Sequence, residues 1–158
     1  MLRAALLVGG LVGPASLPAQ GDFLSATAQG EWRAMLAASP RGGAGIGAGA
    51  NIPAGYYVRV GVGASAVHDW DRAGGHALMA GLAARFLLDP FAESAWGAYA
   101  GGGLGAEWRS GERGRPAVTL QLGMALPGQG RWERAVEVEA GAGLRVAFVL
   151  RPRRARGR

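Results

Sequence analysis

The chain has 158 residues, enough for one domain, and no cysteine, which excludes disulfides and thiolate metal sites. Its 29 glycines accompany a hydrophobic fraction of 49%, a mixture too apolar for a disordered linker. The formal net charge is +6, and the only basic side chains besides arginine are two histidines.

Residues 1–19 read as a secretory signal. Arg3 supplies the positive start, Ala4 to Val12 an apolar stretch, and Leu17-Pro18-Ala19 a cleavage site before Gln20. The apolar stretch is shorter than the roughly 20 residues a bilayer-spanning helix needs. Residues 20–30 form a lead-in to the main body, residues 31–150, and 151–158 a basic tail.

A two-residue rhythm runs through the main body. Turn residues divide it into strand candidates at 31–38, 43–52, 56–67, 76–88, 95–108, 117–126 and 132–150. In 56–67, Tyr56, Val58, Val60, Val62, Ala64 and Ala66 share one face, opposite Tyr57, Arg59, Gly61, Gly63 and Ser65. In 76–88, Leu78, Leu82 and Phe86 oppose Met79, Gly81 and Arg85. In 95–108, Trp96, Leu104 and Trp108 oppose Tyr99, Gly101, Gly103, Gly105 and Glu107. The same holds for Val118, Leu120 and Leu122 against Thr119, Gln121 and Gly123, and for Val136, Val138 and Val146 against Glu137, Glu139 and Arg145. Successive side chains of a strand point to opposite faces, so these are strands with one apolar face. Residues 43–50 fit least well, because glycine-rich strands are weak.

Short turns imply antiparallel neighbours in an up-and-down meander. Seven candidates are visible, and an even number is expected of a closed membrane barrel. Splitting 132–150 at Ala140 to Gly143 supplies an eighth strand; alternatively residues 22–30 do, through Leu24, Ala26 and Ala28. The expected fold is an all-β, up-and-down antiparallel barrel of about eight strands.

Three features point the apolar face outward. The polar face is mostly glycine, which suits a narrow interior. Its charges balance, Glu31, Glu107, Glu137 and Glu139 against Arg33, Arg59, Arg85 and Arg145, as an enclosed space requires. Aromatic residues gather near strand ends (Trp32, Tyr56, Tyr57, Trp96, Trp108 and Trp132), where an interfacial girdle would sit.

With the signal, the dyad repeat and phrases such as Trp96-Gly97-Ala98-Tyr99-Ala100-Gly101-Gly102-Gly103-Leu104-Gly105, the chain resembles the small bacterial outer-membrane β-barrel proteins over about residues 31–150. The resemblance implies export to the cell outer membrane, contact with its lipid, and the barrel-insertion machinery as a partner. Two departures stand out. Members end on an aromatic residue that the insertion machinery reads, whereas Phe148 is followed by Val149, Leu150 and the tail. The loops are short for an adhesin.

Other motifs carry less. His68-Asp69-Trp70-Asp71 with His76 has the ingredients of a metal site, and Ser65, His68 and Asp69 those of an acyl hydrolase, but adjacency does not place a base within reach of the hydroxyl. The glycine runs 42–49 and 101–105 open no helix, so they are not nucleotide loops. No catalytic, cofactor-binding or metal residue is assigned. The five arginines of Arg151 to Arg158 could meet lipopolysaccharide phosphate; export argues against nucleic acid.

The leading expectation is an integral outer-membrane barrel with a structural or envelope-integrity role, no catalysis, and a lumen plugged by Arg/Glu pairs. A soluble secreted barrel with its apolar face around a small hydrophobic ligand is the alternative, and a rim enzyme acting on lipid a third.

Overall fold

The computed structural model describes residues 28–38, 42–70, 75–91, 93–128, 130–141 and 143–153. They form eight strands: β1 (Gln29–Ala37), β2 (Gly43–Pro53), β3 (Val58–Asp69), β4 (His76–Leu87), β5 (Gly97–Arg109), β6 (Arg115–Ala125), β7 (Trp132–Ala140) and β8 (Arg145–Pro152). Each pairs antiparallel with its sequence neighbour, and β8 pairs with β1 to close the barrel. Carried round all eight registers, the pairing returns to β1 about ten residues along, the stagger by which a closing sheet tilts its strands.

The long candidate 132–150 is two strands, β7 and β8, joined through 141–144, so the eighth strand comes from the split. Residues 22–27 of the alternative lie outside the described residues, as does the expected signal at 1–19. The glycine-rich 43–52 is a full strand with eleven residues paired to β3. Its inward glycines lie so close to β3 that a side chain would have no room: a Cβ on Gly49 would stand 2.7 Å from the Val62 carbonyl oxygen. The glycine content that makes a strand weak in isolation here permits close approach of its neighbour.

The strand ladder also runs past the expected end of the barrel. Arg151 belongs to β8 rather than to a tail, because its backbone pairs with Glu133 of β7. Of the rest of the tail, residues 154–158 lie outside the described residues.

The apolar face points outward. Val60, Leu82 and Leu120 are exposed on the wall, Leu82 at 60%, while Arg85 and Glu107 are buried inside. This overturns the alternative of a barrel with its apolar face turned in around a hydrophobic ligand. The interior is polar apart from a small cluster that includes Met35, Val67, Tyr99, Ala135, Ala147 and Val149.

Closure between β1 and β8 sets which residues meet. Ala34 faces Phe148 across that seam. The pair Ala34→Cys with Phe148→Cys is expected to cross-link in a folded sample, read as a mobility shift on a non-reducing gel. Met35→Cys with Phe148→Cys puts the thiols on opposite faces and is expected not to cross-link.

Candidate functional site

Both ends of the described chain lie at one mouth of the barrel, with the strand ends Pro53, Val58, Leu87, Gly97, Ala125 and Trp132; Ala37, Gly43, Asp69, His76, Arg109, Arg115, Ala140 and Arg145 end their strands at the other. The lumen between them is the most elaborate part of the molecule. Strand alternation turns every second residue inward, and the inward ionisable residues come from seven of the eight strands.

The larger cluster centres on Glu31 and Glu137. Arg85 forks onto Glu31, with Nη1 to Oε2 and Nη2 to Oε1 both at 2.8 Å, and the same Nη1 donates to Asn51 Oδ1 at 2.5 Å. Asn51 donates its amide to Glu31 Oε2 at 2.7 Å. Arg33 donates to Glu31 Oε1 through Nε at 2.9 Å and Nη2 at 2.7 Å, and to Glu139 through Nη1. Arg33 Nη2 also lies 3.1 Å from Glu137 Oε2, an ion pair without hydrogen-bond alignment.

Arg151 ties the cluster together. Its Nε donates to Glu31 at 3.0 Å, Nη1 to Glu133 at 3.1 Å, and Nη2 both to Glu137 at 2.7 Å and to the Tyr99 hydroxyl at 3.0 Å. Tyr99 in turn donates to Glu137 Oε1 at 2.5 Å. These residues come from β1, β2, β4, β5, β7 and β8, so the bonds bridge the lumen rather than run along its wall. Glu137 is fully buried.

A second cluster lies toward the other mouth. Glu107 takes Arg109 Nη2 at 2.9 Å and Arg115 Nε at 2.8 Å, and Arg109 reaches Asp69 at 3.2 Å. Buried carboxylates and guanidiniums lose hydration, so multiple charge-assisted bonds are what make their enclosure tolerable. Removing one partner leaves the rest uncompensated.

Every residue expected in the lumen lies at an inward position. Glu31, Arg33, Arg85, Glu137 and Glu139 join the larger cluster and Glu107 the smaller. Arg59 reaches Gln29 at 3.4 Å, at the mouth that holds the chain ends. Arg145 is buried but joins neither carboxylate cluster. Sequence reasoning missed Asn51, Asp69, Arg109, Arg115, Glu133 and Arg151 as members. The same alternation carried to the true strand ends adds Asp69, Arg109, Arg115 and Arg151, and Asn51 and Glu133 already stand at inward positions within the candidates.

The aromatic residues stand on the outer wall and in the connections. Tyr56, Tyr57, Trp96 and Trp132 are at the mouth with the chain ends, Trp32 is nearer that mouth on β1, and Trp108 is near the other. Tyr57 stacks on Phe86 at 5.8 Å and meets Phe91 edge-on at 6.2 Å; Tyr56 lies 5.9 Å from Phe91. Phe91 and Trp70, both exposed, belong to the same two rims.

The histidine motif does not assemble as an acyl hydrolase. His68 and His76 sit side by side on the outer wall with Nδ1 atoms 3.4 Å apart, whereas Ser65 and Asp69 point inward. Asp69 is held by Arg109. Strand alternation therefore puts the base and the hydroxyl on opposite sides of the wall. Asp71 lies outside the described residues. Both glycine runs lie largely within strands, 43–49 in β2 and 101–105 in β5, and neither opens a helix.

The fold matches solved eight-stranded barrels. Neisserial surface protein A superimposes with a TM-score of 0.61 at 12% identity, over 79% of this chain and 94% of that one. The N-terminal β-barrel domain of Pseudomonas aeruginosa OprF gives a TM-score of 0.60 at 11% identity, over 78% of this chain and 96% of that one. Comparison of the sequence with protein-family descriptions and with curated proteins finds no match.

Two substitutions test the larger cluster. Glu137→Gln strips charge from the acceptor of Arg151 and Tyr99 and is expected to cost about 3–5 kcal/mol of stability. Gly123→Ala drives a methyl into the Tyr99 ring, which has no free space beside Gly123, and is expected to cost about 1–3 kcal/mol. Urea unfolding of the detergent-folded barrel followed by tryptophan fluorescence reads both.

Proposed function

We propose that this chain is an integral β-barrel of a bacterial outer membrane with a structural, envelope-supporting and non-catalytic role. The observation that carries the reading is the sidedness of the wall. A continuous outward surface of Leu78, Leu82, Leu104, Val118, Leu120 and Leu122 is exposed, while Arg85 and Glu107 of the same wall are buried inside. Such a surface is costly in water and at home in hydrocarbon, where a closed barrel leaves no backbone edge unpaired. The aromatic residues at the two rims fit a headgroup girdle. The likeness in fold to Neisserial surface protein A and to the OprF barrel domain supports the reading.

In this reading the signal at 1–19 exports the chain, the insertion machinery places it, and the two lumenal clusters plug the barrel. An eight-stranded barrel has an interior just wide enough for side chains to fill, and bridging ion pairs hold those side chains across it. At the rim, lipid or lipopolysaccharide phosphate meets the exposed Arg153 with the exposed Arg131 and Arg134, rather than Arg151, which is committed inside.

Fractionation of expressing cells is expected to recover the protein in the outer membrane, with a mobility that changes when the sample is boiled. Recovery from the soluble periplasm without detergent would overturn the reading. Leu82→Arg, in the middle of the outward face, is expected to cost about 2–4 kcal/mol of folding stability in bilayers. In planar bilayers the native barrel is expected to show no steady conductance, and Arg85→Ala combined with Glu31→Ala to open one.

A further inference from the structure

The inward positions of the eight strands carry seven arginines (Arg33, Arg59, Arg85, Arg109, Arg115, Arg145 and Arg151) and six carboxylates (Glu31, Asp69, Glu107, Glu133, Glu137 and Glu139). Arg145 is 5% exposed, and its Nε and Nη2 find no hydrogen-bond partner among the described residues; Nη1 rests against the Met79 sulfur. Its cross-strand neighbour Glu139 is taken by Arg33, and Glu107 by Arg109 and Arg115.

Arg145 lines a cavity of about 100 Å³ bounded by inward residues and by wall residues such as Leu82 and Leu104. Gln121, also 5% exposed, lines it too, and its Nε2 is likewise unpartnered. Thr119 and Ser65 bring hydroxyls to the same space. A cavity needs only about 10–15 Å³ to admit a water-sized particle, so a small ion fits with room for water. Two guanidinium nitrogens, one amide nitrogen and two hydroxyls face it as donors, beside Arg33 and the Glu139 carboxylate that Arg33 already holds.

We infer that the lumen holds a monovalent inorganic anion of the halide class, bound between Arg145 and Gln121. The anion supplies the missing counter-charge and accepts the unpaired N–H groups. A polyatomic dianion would overcompensate the one guanidinium that lacks a carboxylate partner, and a cation would face that guanidinium. The inference depends on the lumen and not on the membrane placement proposed above, so either can fail without the other.

The test uses the full chain folded in detergent and crystallised with bromide in place of chloride. An anomalous peak within hydrogen-bond reach of Arg145 and Gln121 is expected. In parallel, thermal unfolding is followed in chloride against gluconate at constant ionic strength. The native midpoint is expected to rise and saturate with chloride, Arg145→Met to lose that dependence, and Gln121→Leu to need at least tenfold more chloride for the same rise. Absence of the peak at saturating bromide, Arg145 paired to Glu139 in its place, or the same chloride response in native and Arg145→Met protein would overturn the inference. If Arg145→Met does not fold, the bromide crystal and the comparison with Gln121→Leu decide it.

Discussion

Every register in this barrel pairs residues of equal parity: Gln29 with Asn51, Gly43 with Asp69, Val58 with Phe86, Ala77 with Arg109, and so on round to Trp32 with Leu150. Each connection therefore places an odd number of residues between the last paired positions on its two sides. The consequence is global. One alternation, begun at Gln29, assigns inside and outside through β8 without a reversal. Because the side-chain period is two, a one-residue slip of any strand against its neighbours would send its charges to the outer wall and its apolar residues to the lumen. Sidedness, the ion-pair clusters and the apolar surface all depend on that shared register.

The clusters do more than tolerate enclosure. Buried ion pairs are poor sources of net stability, because the hydration they give up rivals the attraction they gain. What a bridging network adds is specificity. Glu31 accepts from residues of β1, β2, β4 and β8, so a slip in any of those strands would strand a charge. The outward face of alanines, valines and leucines holds no comparable information, since one apolar contact with lipid substitutes for another. Register is thus policed from inside. Arginine suits the task better than lysine: its planar fork lets Arg151 meet Glu31, Glu133, Glu137 and Tyr99 at once, and the chain contains no lysine at all.

Most of the fold was legible because the wall is built from one repeated local rule. Alternation identifies β3 to β6 to within two residues at either end, and it puts Arg85 and Glu107 on the face opposite Leu82 and Trp108. What it could not supply was where strands stop. Arg151 reads as tail because Pro152 and further arginines follow it, yet its backbone pairs with Glu133. Asp69 and Arg109 read as loop because turn residues crowd after them, yet they are strand termini whose side chains meet inside. Nor does alternation reveal partners. It places Arg145 inward beside Glu139, and only three dimensions show that Arg33 takes that carboxylate.

The glycines connect these themes. A narrow barrel crowds its inward side chains, so a large residue can be accommodated only where the facing positions are bare. Gly81 and Gly105 face each other across β4 and β5, and a Cβ on Gly81 would stand 3.0 Å from the Gly105 Cα. Gly123 leaves room for Tyr99, whose hydroxyl is thereby carried to Glu137 and Arg151. The composition that first looks like low complexity is then the complement of the charge network. Bare positions let a few long side chains cross the lumen, and those side chains fix the register that keeps the bare positions opposite them.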